Sequence, residues 1–283
     1  IILKSDGASL YSTTDLATLV MRMKENNPDR VIYLADARQS MHFIQVFRCA
    51  RKTGIVPDTT ELVHIGFGTM NGKDGKPFKT RDGGVMRLEY LLKEIDDEML
   101  NKIKENQKEK ENLNIDEAEA EQTAKTVALA AVKYGDLSNQ ASKDYIFDID
   151  RFTSFEGNTG PYILYTIVRI KSILSKYEAK GGDISALKDA IMPAVNAGQK
   201  NLMLSLAKFN ATIESAYEES APHKICAYIY ELANAFNGFY HDTKILSEEN
   251  EELKKSYISL LVLTKEILEA CIDMLGFSAP DRM

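Results

Sequence analysis

Residues 154–170 read SFEGNTGPYILYTIVRI and separate two halves of the chain that are patterned differently. Thr159 is a candidate helix N-cap, and Gly160 and Pro161 suit a first helical turn, where a missing N–H costs nothing. An apolar run at helical spacing follows them. Upstream of this stretch strand and helix patterns alternate, whereas downstream we find helical patterns only. The sequence therefore predicts an α/β first part and an all-helical second part.

The composition is that of a globular protein of about two domains. The chain has 283 residues, and its hydrophobic fraction of 44% is enough to bury a core in each domain. Neither a membrane span nor a signal peptide is visible, so a cytoplasmic location is expected. The net charge of -7 argues against indiscriminate nucleic-acid binding, but it permits RNA that is recognised through a local basic patch and stacked bases.

The upstream half has the order strand, helix, strand, helix, strand, which is typical of a nucleotide-binding, Rossmann-like sheet. The continuous apolar run at residues 31–35 suits a parallel strand that is buried on both faces. The elements are extended segments around the turn 5–7, a helix over about 13–26, a strand at 31–35, a helix over about 40–52 and a strand at 62–67.

A basic, glycine-rich loop follows the last strand. Residues 66–84 contain six glycines together with Lys73, Lys76, Lys79 and Arg81, a composition that suits phosphate binding. A solvated hairpin with ordinary surface lysines is the alternative, and composition alone favours it. The remaining helical patterns cover roughly 88–110, 115–134, 184–196, 198–218, 222–240 and 248–274, and we divide the chain into domains 1–87, 88–140 and 141–283.

Three polar side chains follow strand ends in the upstream half. Tyr11 and Asp15 bracket a strand-to-helix corner and Gln39 follows the next strand, so all three are expected at the carboxyl edge of the sheet, where ligands bind. A carboxylate there pairs well with a guanidinium or an ammonium group. The alternative makes Asp15 a first-turn helix charge and Gln39 a loop residue. His42 can face the same crevice, although a lone His near an apolar helix is more often a core residue.

Metal and disulfide sites are not expected. Cys49, Cys226 and Cys271 are far apart in apolar helical contexts, which indicates reduced core residues. The segment His64-Ile65-Gly66-Phe67 is similar to the HIGH signature of class I aminoacyl-tRNA synthetases. That signature opens a helix, whereas this segment ends a predicted strand, so we do not interpret it as the HIGH signature.

Five ordered blocks of the sequence resemble the arginyl-tRNA synthetases, a class I aminoacyl-tRNA synthetase family. The resemblance covers essentially the whole chain, because the blocks follow one another in the family's order. They are DGASLYSTTDLA at 6–17, ADARQSMHF at 35–43, VHIGFG at 63–68, FKTRDGG at 78–84 and FEGNTGPY at 155–162, with Arg282-Met283 similar to the family's ending.

The resemblance implies ATP-dependent activation of arginine and its transfer to tRNA(Arg). Tyr11, Asp15 and Gln39 match the positions that hold arginine, and His64, Gly66 and Phe67 match the block beside the adenine of ATP. Lys79 and Arg81 lie in the position of the family's KMSKS loop, where they are expected to bind phosphate and act in catalysis. Phe78-Lys79-Thr80-Arg81 departs from the standard KMSKS pattern.

The same resemblance makes the second half an anticodon-binding helical bundle behind a partial catalytic half. Tyr162, Tyr165, Tyr240 and Met283 match positions near the anticodon loop, where aromatic faces stack on splayed bases. The alternative is a belt of tyrosines inside the bundle. The implied partners are tRNA(Arg), arginine and ATP, the last as its Mg²⁺ complex. A monomer without a protein-bound metal and without a membrane partner is expected.

The family's HIGH segment and its N-terminal domain for the tRNA elbow precede the block at residues 6–17. We therefore expect the chain to be a C-terminal portion that does not form the adenylate alone. The alternative is a stand-alone, non-catalytic tRNA-binding or regulatory module on a synthetase scaffold.

Overall fold

The fold is described from a computed structural model covering residues 2–76, 87–109, 116–187 and 190–283, in which the side chains of residues 106–109 are left out. The contacts divide the chain into two units. Unit 1 comprises Ile1–Met70 and Ala141–Tyr145, and unit 2 comprises Asn71–Gln140 and Ile146–Met283. The division into domains 1–87, 88–140 and 141–283 stays a prediction.

Unit 1 is built on two parallel strands and two helices. Helix α1 (Tyr11–Asn26) precedes strand β1 (Arg30–Asp36), and helix α2 (Ser40–Lys52) precedes strand β2 (Glu61–Phe67). Helix α1 ends at Asn27, which takes the left-handed conformation that Asn tolerates better than most residues. The two strands pair in parallel with Val31 opposite Leu62, so α2 is the crossover that joins them.

The core of unit 1 lies on one face of this sheet only. Leu19, Val31 and Val46 are buried there between the strands and the two helices. On the other face Ile32 and Leu34 are 48% and 68% exposed, so the predicted burial of β1 on both faces is wrong. The physical reason is that both helices pack on the same side of the strands.

The segment before α1 does not add a third strand to the parallel sheet. It makes an isolated antiparallel bridge between Leu3 and Ser9 around the turn at Gly7, whose φ is +80°. The prediction of extended segments around this turn is therefore confirmed, whereas the prediction of three strands in one sheet is wrong for the described residues.

Unit 2 consists mainly of helices joined by short connections. Two short strands, β3 (Met70–Asn71) and β4 (Tyr145–Ile146), pair where the chain passes between the units. The helices are α3 (Leu88–Glu109), α4 (Glu117–Leu137), α5 (Ile149–Phe152), α6 (Gly160–Ala179), α7 (Ala197–Ala207), α8 (Phe209–Glu218), α9 (Pro222–Asp242) and α10 (Glu251–Met274).

Helix α6 begins as its sequence predicts. Thr159 is the N-cap, and its Oγ1 accepts a hydrogen bond from the Tyr162 N–H at 3.3 Å. Pro161 occupies the first turn, where its missing N–H has no helical partner to lose. Gly160 is required by packing, because a Cβ at this position would lie 2.3 Å from the carbonyl oxygen of Ala130 on α4. The start of α6 is therefore fixed by its cap and by close contact with α4.

Two predicted helices differ from the structure. Residues 190–196 are not helical, because Pro193 lacks an N–H and disfavours the helical conformation of the residue before it, Met192. The Met192 N–H bonds to the Ser256 hydroxyl at 2.9 Å instead. The predicted helix over 198–218 is divided at Lys208, where an N–H···O bond to Ser205 closes a tighter turn and separates α7 from α8.

Candidate functional site

A carboxylate and an imidazole from neighbouring helices form a hydrogen-bonded pair in unit 1. Asp15 lies in the second turn of α1, and its Oδ2 is 2.6 Å from Nε2 of His42 on α2. Both side chains are largely buried, with 16% of Asp15 and 25% of His42 exposed. The alternative that made Asp15 a first-turn helix charge is wrong, because α1 begins at Tyr11 and has no acidic residue in its first turn.

Tyr11 lies on the same face of α1 as Asp15, because four residues separate the two positions. Its ring centre is 5.0 Å from that of His42, and 64% of the residue is exposed. Two predicted site residues, Tyr11 and Asp15, are therefore brought together around His42, for which the sequence left both a crevice position and a core position open. The signal for His42 was its i+3 spacing from Gln39 at the start of a helix.

Gln39 closes the 3-10 turn Ala37–Gln39 between β1 and α2. The turn is held by the Arg38 N–H, which donates to Asp36 Oδ1 at 2.8 Å, and by the Ser40 hydroxyl, which donates to the Ala37 carbonyl at 2.6 Å. Within the described ranges, no hydrogen bond joins Gln39 to Tyr11 or Asp15. Gln39 thus lies at the predicted strand end, but it is not part of the Asp15–His42 pair.

Two side chains of β1, Asp36 and Tyr33, have shifted pKa values with clear physical causes. Hydrogen bonds from the Arg38 guanidinium and N–H lower the pKa of Asp36 to about 2. Burial raises the pKa of Tyr33, and the charge of Asp15 raises it further, although the Arg22 guanidinium, 5.0 Å from the Tyr33 ring centre, opposes the shift. Tyr33 is therefore a neutral phenol at neutral pH.

The three residues predicted to lie beside adenine occupy β2 in two different orientations. The His64 ring stacks on Phe43 of α2, with ring centres 4.6 Å apart, so it faces the core side of the sheet. Gly66 approaches the 3-10 turn so closely that a Cβ would lie 2.8 Å from the Ala37 Cα. Phe67 ends the strand and is 42% exposed. Gly66 and Phe67 lie at the carboxyl end of β2, whereas the His64 side chain points toward α2.

The predicted phosphate-binding residues Lys79 and Arg81 lie outside the described residues. The segment that leads to them is anchored in unit 2 by Lys73, whose Nζ is 3.0 Å from Asp148 Oδ1 and 2.9 Å from Asp150 Oδ2. Hydrogen bonding to Lys73 lowers the pKa of Asp150. Because Lys73 and Asp150 are exposed, the ion pairs position the chain more than they stabilise it.

In unit 2, α6 and α9 carry an aromatic cluster, which we define as Tyr162, Tyr165, Arg169, Asn237 and Tyr240. The Arg169 guanidinium lies 4.7 Å from the ring centre of Tyr165 and 5.5 Å from that of Tyr240. One of its N–H groups donates to Asn237 Oδ1 at 2.6 Å. One cation therefore holds Tyr165 and Tyr240 together, and Asn237 joins them to Tyr162.

Hydrogen bonds fix the orientation of Tyr162 in this cluster. Its hydroxyl donates to Asn234 Oδ1 at 2.6 Å and accepts from Asn237 Nδ2 at 2.9 Å. Tyr162 and Tyr165 are half-buried and Tyr240 is 41% exposed, so they lie at the surface and not inside the bundle. Sequence reasoning missed Asn234 and Asn237, whose spacing places them on one face of α9.

The C-terminal segment of unit 2 is held against two helices, α4 and α6, by hydrogen bonds of basic side chains. Lys133 Nζ donates to the Gly276 carbonyl at 2.5 Å, and Lys171 Nζ lies 3.3 Å from the Pro280 carbonyl. Arg282 binds Glu119 on α4 through two hydrogen bonds of 2.9 and 3.1 Å. These contacts fix the segment that leads to Met283, although no hydrogen bond or ion pair among the described residues joins Met283 to the aromatic cluster.

Two further properties concern the part of the chain that the structure describes. No helix there is both long and apolar enough to cross a membrane. The described residues also contain no group of three or more His, Cys, Asp or Glu side chains with the geometry of a metal site.

Comparisons with known proteins give two matches that follow one another along the chain. The family model described as tRNA synthetases class I (R), catalytic domain, matches residues 1–149, and the DALR anticodon binding domain matches residues 163–283. Arginine--tRNA ligases of Alkaliphilus oremlandii and Francisella tularensis are 55% and 44% identical to the chain over its whole length. The chain spans 47% of each of these relatives.

The solved structures to which the chain is similar are also arginyl-tRNA synthetases. The arginyl-tRNA synthetase of Plasmodium falciparum superimposes with a TM-score of 0.82 at 28% identity, covering all of this chain and 46% of that one. The Thermus thermophilus enzyme superimposes with a TM-score of 0.81 at 23% identity, covering all of this chain and 50% of that one, which supports the fold.

Proposed function

The chain belongs to the class I tRNA synthetases of the arginine type, and on that premise we propose that it is part of an arginine–tRNA ligase. The polypeptide that contains it would activate arginine with ATP and transfer the arginyl group to tRNA(Arg). One observation carries this proposal. A catalytic-domain match and an anticodon-domain match follow one another along the chain, and relatives named as arginine--tRNA ligases match its full length.

Asp15 is the proposed anchor for the arginine substrate. An ionised carboxylate accepts charge-assisted hydrogen bonds from a guanidinium, which is the group that distinguishes arginine from the other amino acids. The exposed ring of Tyr11, one turn away on α1, is proposed to pack against the same ligand. Gln39 is proposed to contribute its side-chain amide from the adjacent strand end. This arrangement supports recognition of the side chain of arginine.

ATP is the proposed second substrate, carried as its Mg²⁺ complex. The Gly66 backbone packs closely against Ala37 at the carboxyl end of β2, and backbone groups at this edge of the sheet suit the edge of an adenine ring. Lys79 and Arg81 are proposed to stabilise charge on the phosphates during adenylate formation. The Lys73 ion pairs with Asp148 and Asp150 support this role by anchoring the segment that precedes them.

The aromatic cluster is the proposed surface for the anticodon loop of tRNA(Arg). Tyrosine rings at the surface stack on unpaired bases, and the Arg169 guanidinium between Tyr165 and Tyr240 offers hydrogen-bond donors. Met283 is proposed to add an apolar contact. Fixed rings and satisfied amide groups lower the entropy that binding would otherwise lose.

We further propose that the chain alone does not form arginyl-adenylate, because it spans 47% of its relatives. The test is arginine-dependent exchange of pyrophosphate into ATP, measured with the isolated chain and with the complete polypeptide that contains it. Exchange by the complete polypeptide alone is expected. The isolated chain is expected to keep measurable affinity for tRNA(Arg) over a tRNA of another specificity. Absence of exchange in the complete polypeptide would favour a non-catalytic tRNA-binding module.

A further inference from the structure

The carboxylate of Asp15 has two oxygens, and the described residues engage only one of them. Oδ2 is 2.6 Å from His42 Nε2, whereas Oδ1 has no hydrogen-bond partner within the described ranges. An ionised carboxylate only accepts hydrogen bonds, which assigns the proton of this bond to His42 Nε2 when Asp15 is ionised. One oxygen of Asp15 is therefore occupied and the other is free to accept a bond from a ligand.

The imidazole that makes this bond is held from two sides. The Tyr11 ring lies 5.0 Å from the His42 ring, and the ring of Phe43 meets it edge-on at 5.2 Å. Phe43 is 3% exposed and is itself stacked on His64, so the support for His42 continues into the core of unit 1. The ring is consequently a fixed donor on α2 that faces a carboxylate on α1.

From this geometry we infer that His42 is a positioning residue that holds the Asp15 carboxylate in the orientation that binds the guanidinium of arginine. The inference rests on the proposed function of the Asp15 site. By occupying Oδ2, His42 selects one rotamer of Asp15 and directs Oδ1 toward the ligand. A carboxylate that is already oriented loses less conformational entropy when it binds than a freely rotating one.

The alternative role for His42 is a purely structural link between α1 and α2. The two roles predict different kinetics, because a structural link affects all substrates through stability, whereas a positioning residue affects arginine alone. A hydrogen bond to a charged group predicts a rise of about tenfold or more in the KM for arginine when the donor is removed.

The test uses the complete polypeptide that contains this chain, with KM values for arginine and ATP measured by pyrophosphate exchange. His42→Leu removes the donor, His42→Gln keeps an N–H donor near the position of Nε2, and His42→Asn keeps an amide that is too short to reach. We expect His42→Leu and His42→Asn to raise the KM for arginine about tenfold and to leave the KM for ATP within about twofold of the wild type. His42→Gln is expected to keep the KM for arginine much closer to the wild-type value.

Asp15→Asn separates failure of this inference from failure of the proposed site. If Asp15→Asn leaves the KM for arginine unchanged, the arginine site is wrong. If Asp15→Asn raises it and the three His42 variants do not differ among themselves, only the positioning role is wrong. In the double variant Asp15→Asn/His42→Leu, the KM for arginine is expected to exceed that of Asp15→Asn by less than about twofold. Should His42→Leu fail to fold, the comparison of Gln with Asn decides the question alone.

Discussion

Replacing Gly160 by alanine is expected to destabilise unit 2 by about 2–3 kcal/mol, since overpacking a well-packed contact has a cost of this order. The added Cβ would lie 2.3 Å from the carbonyl oxygen of Ala130 and 2.6 Å from its carbonyl carbon. Ordinary van der Waals contact begins roughly 1 Å farther out. Both obstructing atoms belong to the backbone of α4, so the strain can be relieved only by moving one helix away from the other.

Gly238 provides a matched control, because it lies in the interior of α9 and a Cβ there meets no atom within 4 Å. Gly238→Ala is expected to stabilise the helix by about 0.5–1 kcal/mol through its smaller loss of backbone entropy. The two variants, followed by far-ultraviolet circular dichroism on heating, should therefore shift the midpoint in opposite directions. Gly160→Ala is expected to lower Tm by about 5–10 °C.

Equal stability of the Gly160→Ala and Gly238→Ala proteins would refute this reasoning. It would mean that α4 and α6 can move apart to admit the Cβ at no cost in the free energy of unfolding. The close approach at the start of α6 would then contribute nothing measurable to stability. Urea unfolding, with an unchanged m-value, would exclude an effect on the unfolded state.

Three further outcomes are expected. Asp15→Asn, in the complete polypeptide, should raise the KM for arginine at least about tenfold, because a neutral amide has no negative charge to pair with the guanidinium; pyrophosphate exchange measures it. Tyr240→Ala should weaken binding of tRNA(Arg) by about tenfold with Tm nearly unchanged, because the ring is 41% exposed; filter binding and thermal melting measure it. Arg38→Ala should raise the pKa of Asp36 from about 2 toward its ordinary value of 3.8, measured by NMR titration.

The outcomes expected for Tyr240→Ala and Arg38→Ala can each be contradicted by a specific result. A collapse of Tm in Tyr240→Ala would favour a core role for the ring, and Tyr217→Ala on α8, 71% exposed and outside the cluster, is the matched control. For Asp36 the depressed pKa means that any stability from Arg38 is present above about pH 4 and is lost as the pH falls toward 2. Equal acid sensitivity of the wild type and Arg38→Ala would show that this exposed pair adds nothing measurable.

The periodicity of apolar residues predicted helices and strands well where no proline or packing arrangement opposed it. Helix α2 has the predicted bounds, and the cap and proline at the start of α6 lie where the sequence placed them. Periodicity failed at residues 190–196, because Pro193 overrides an apolar pattern that otherwise looks helical. It also failed for β1, because an apolar run reports hydrophobicity and not the number of layers that pack on a strand.

The candidate sites show a similar limit. Tyr11 and Asp15 were expected near each other at a strand-to-helix corner, although the predicted helix began near residue 13 and α1 already contains Tyr11. The pairing of Asp15 with His42 was not predictable, because it depends on how α1 packs beside α2. In the bundle the tyrosines were recognisable by type, whereas Asn237 acquires its place from a contact between α6 and α9 that no local pattern encodes.

The division of unit 1 into two chain segments has a consequence for its synthesis. The chain leaves unit 1 after Met70 and returns only for Ala141–Tyr145, where the Gly68 N–H bonds to the Ala141 carbonyl and the Thr69 N–H to Asp144. At ribosomal speeds of about 5–20 residues per second, the second segment emerges roughly 4–15 s after the first. Helices and strand pairs form in microseconds to milliseconds. Completion of unit 1 in the cell is thus timed by translation, and slow codons between positions 71 and 140 would prolong the interval in which its last partners are missing.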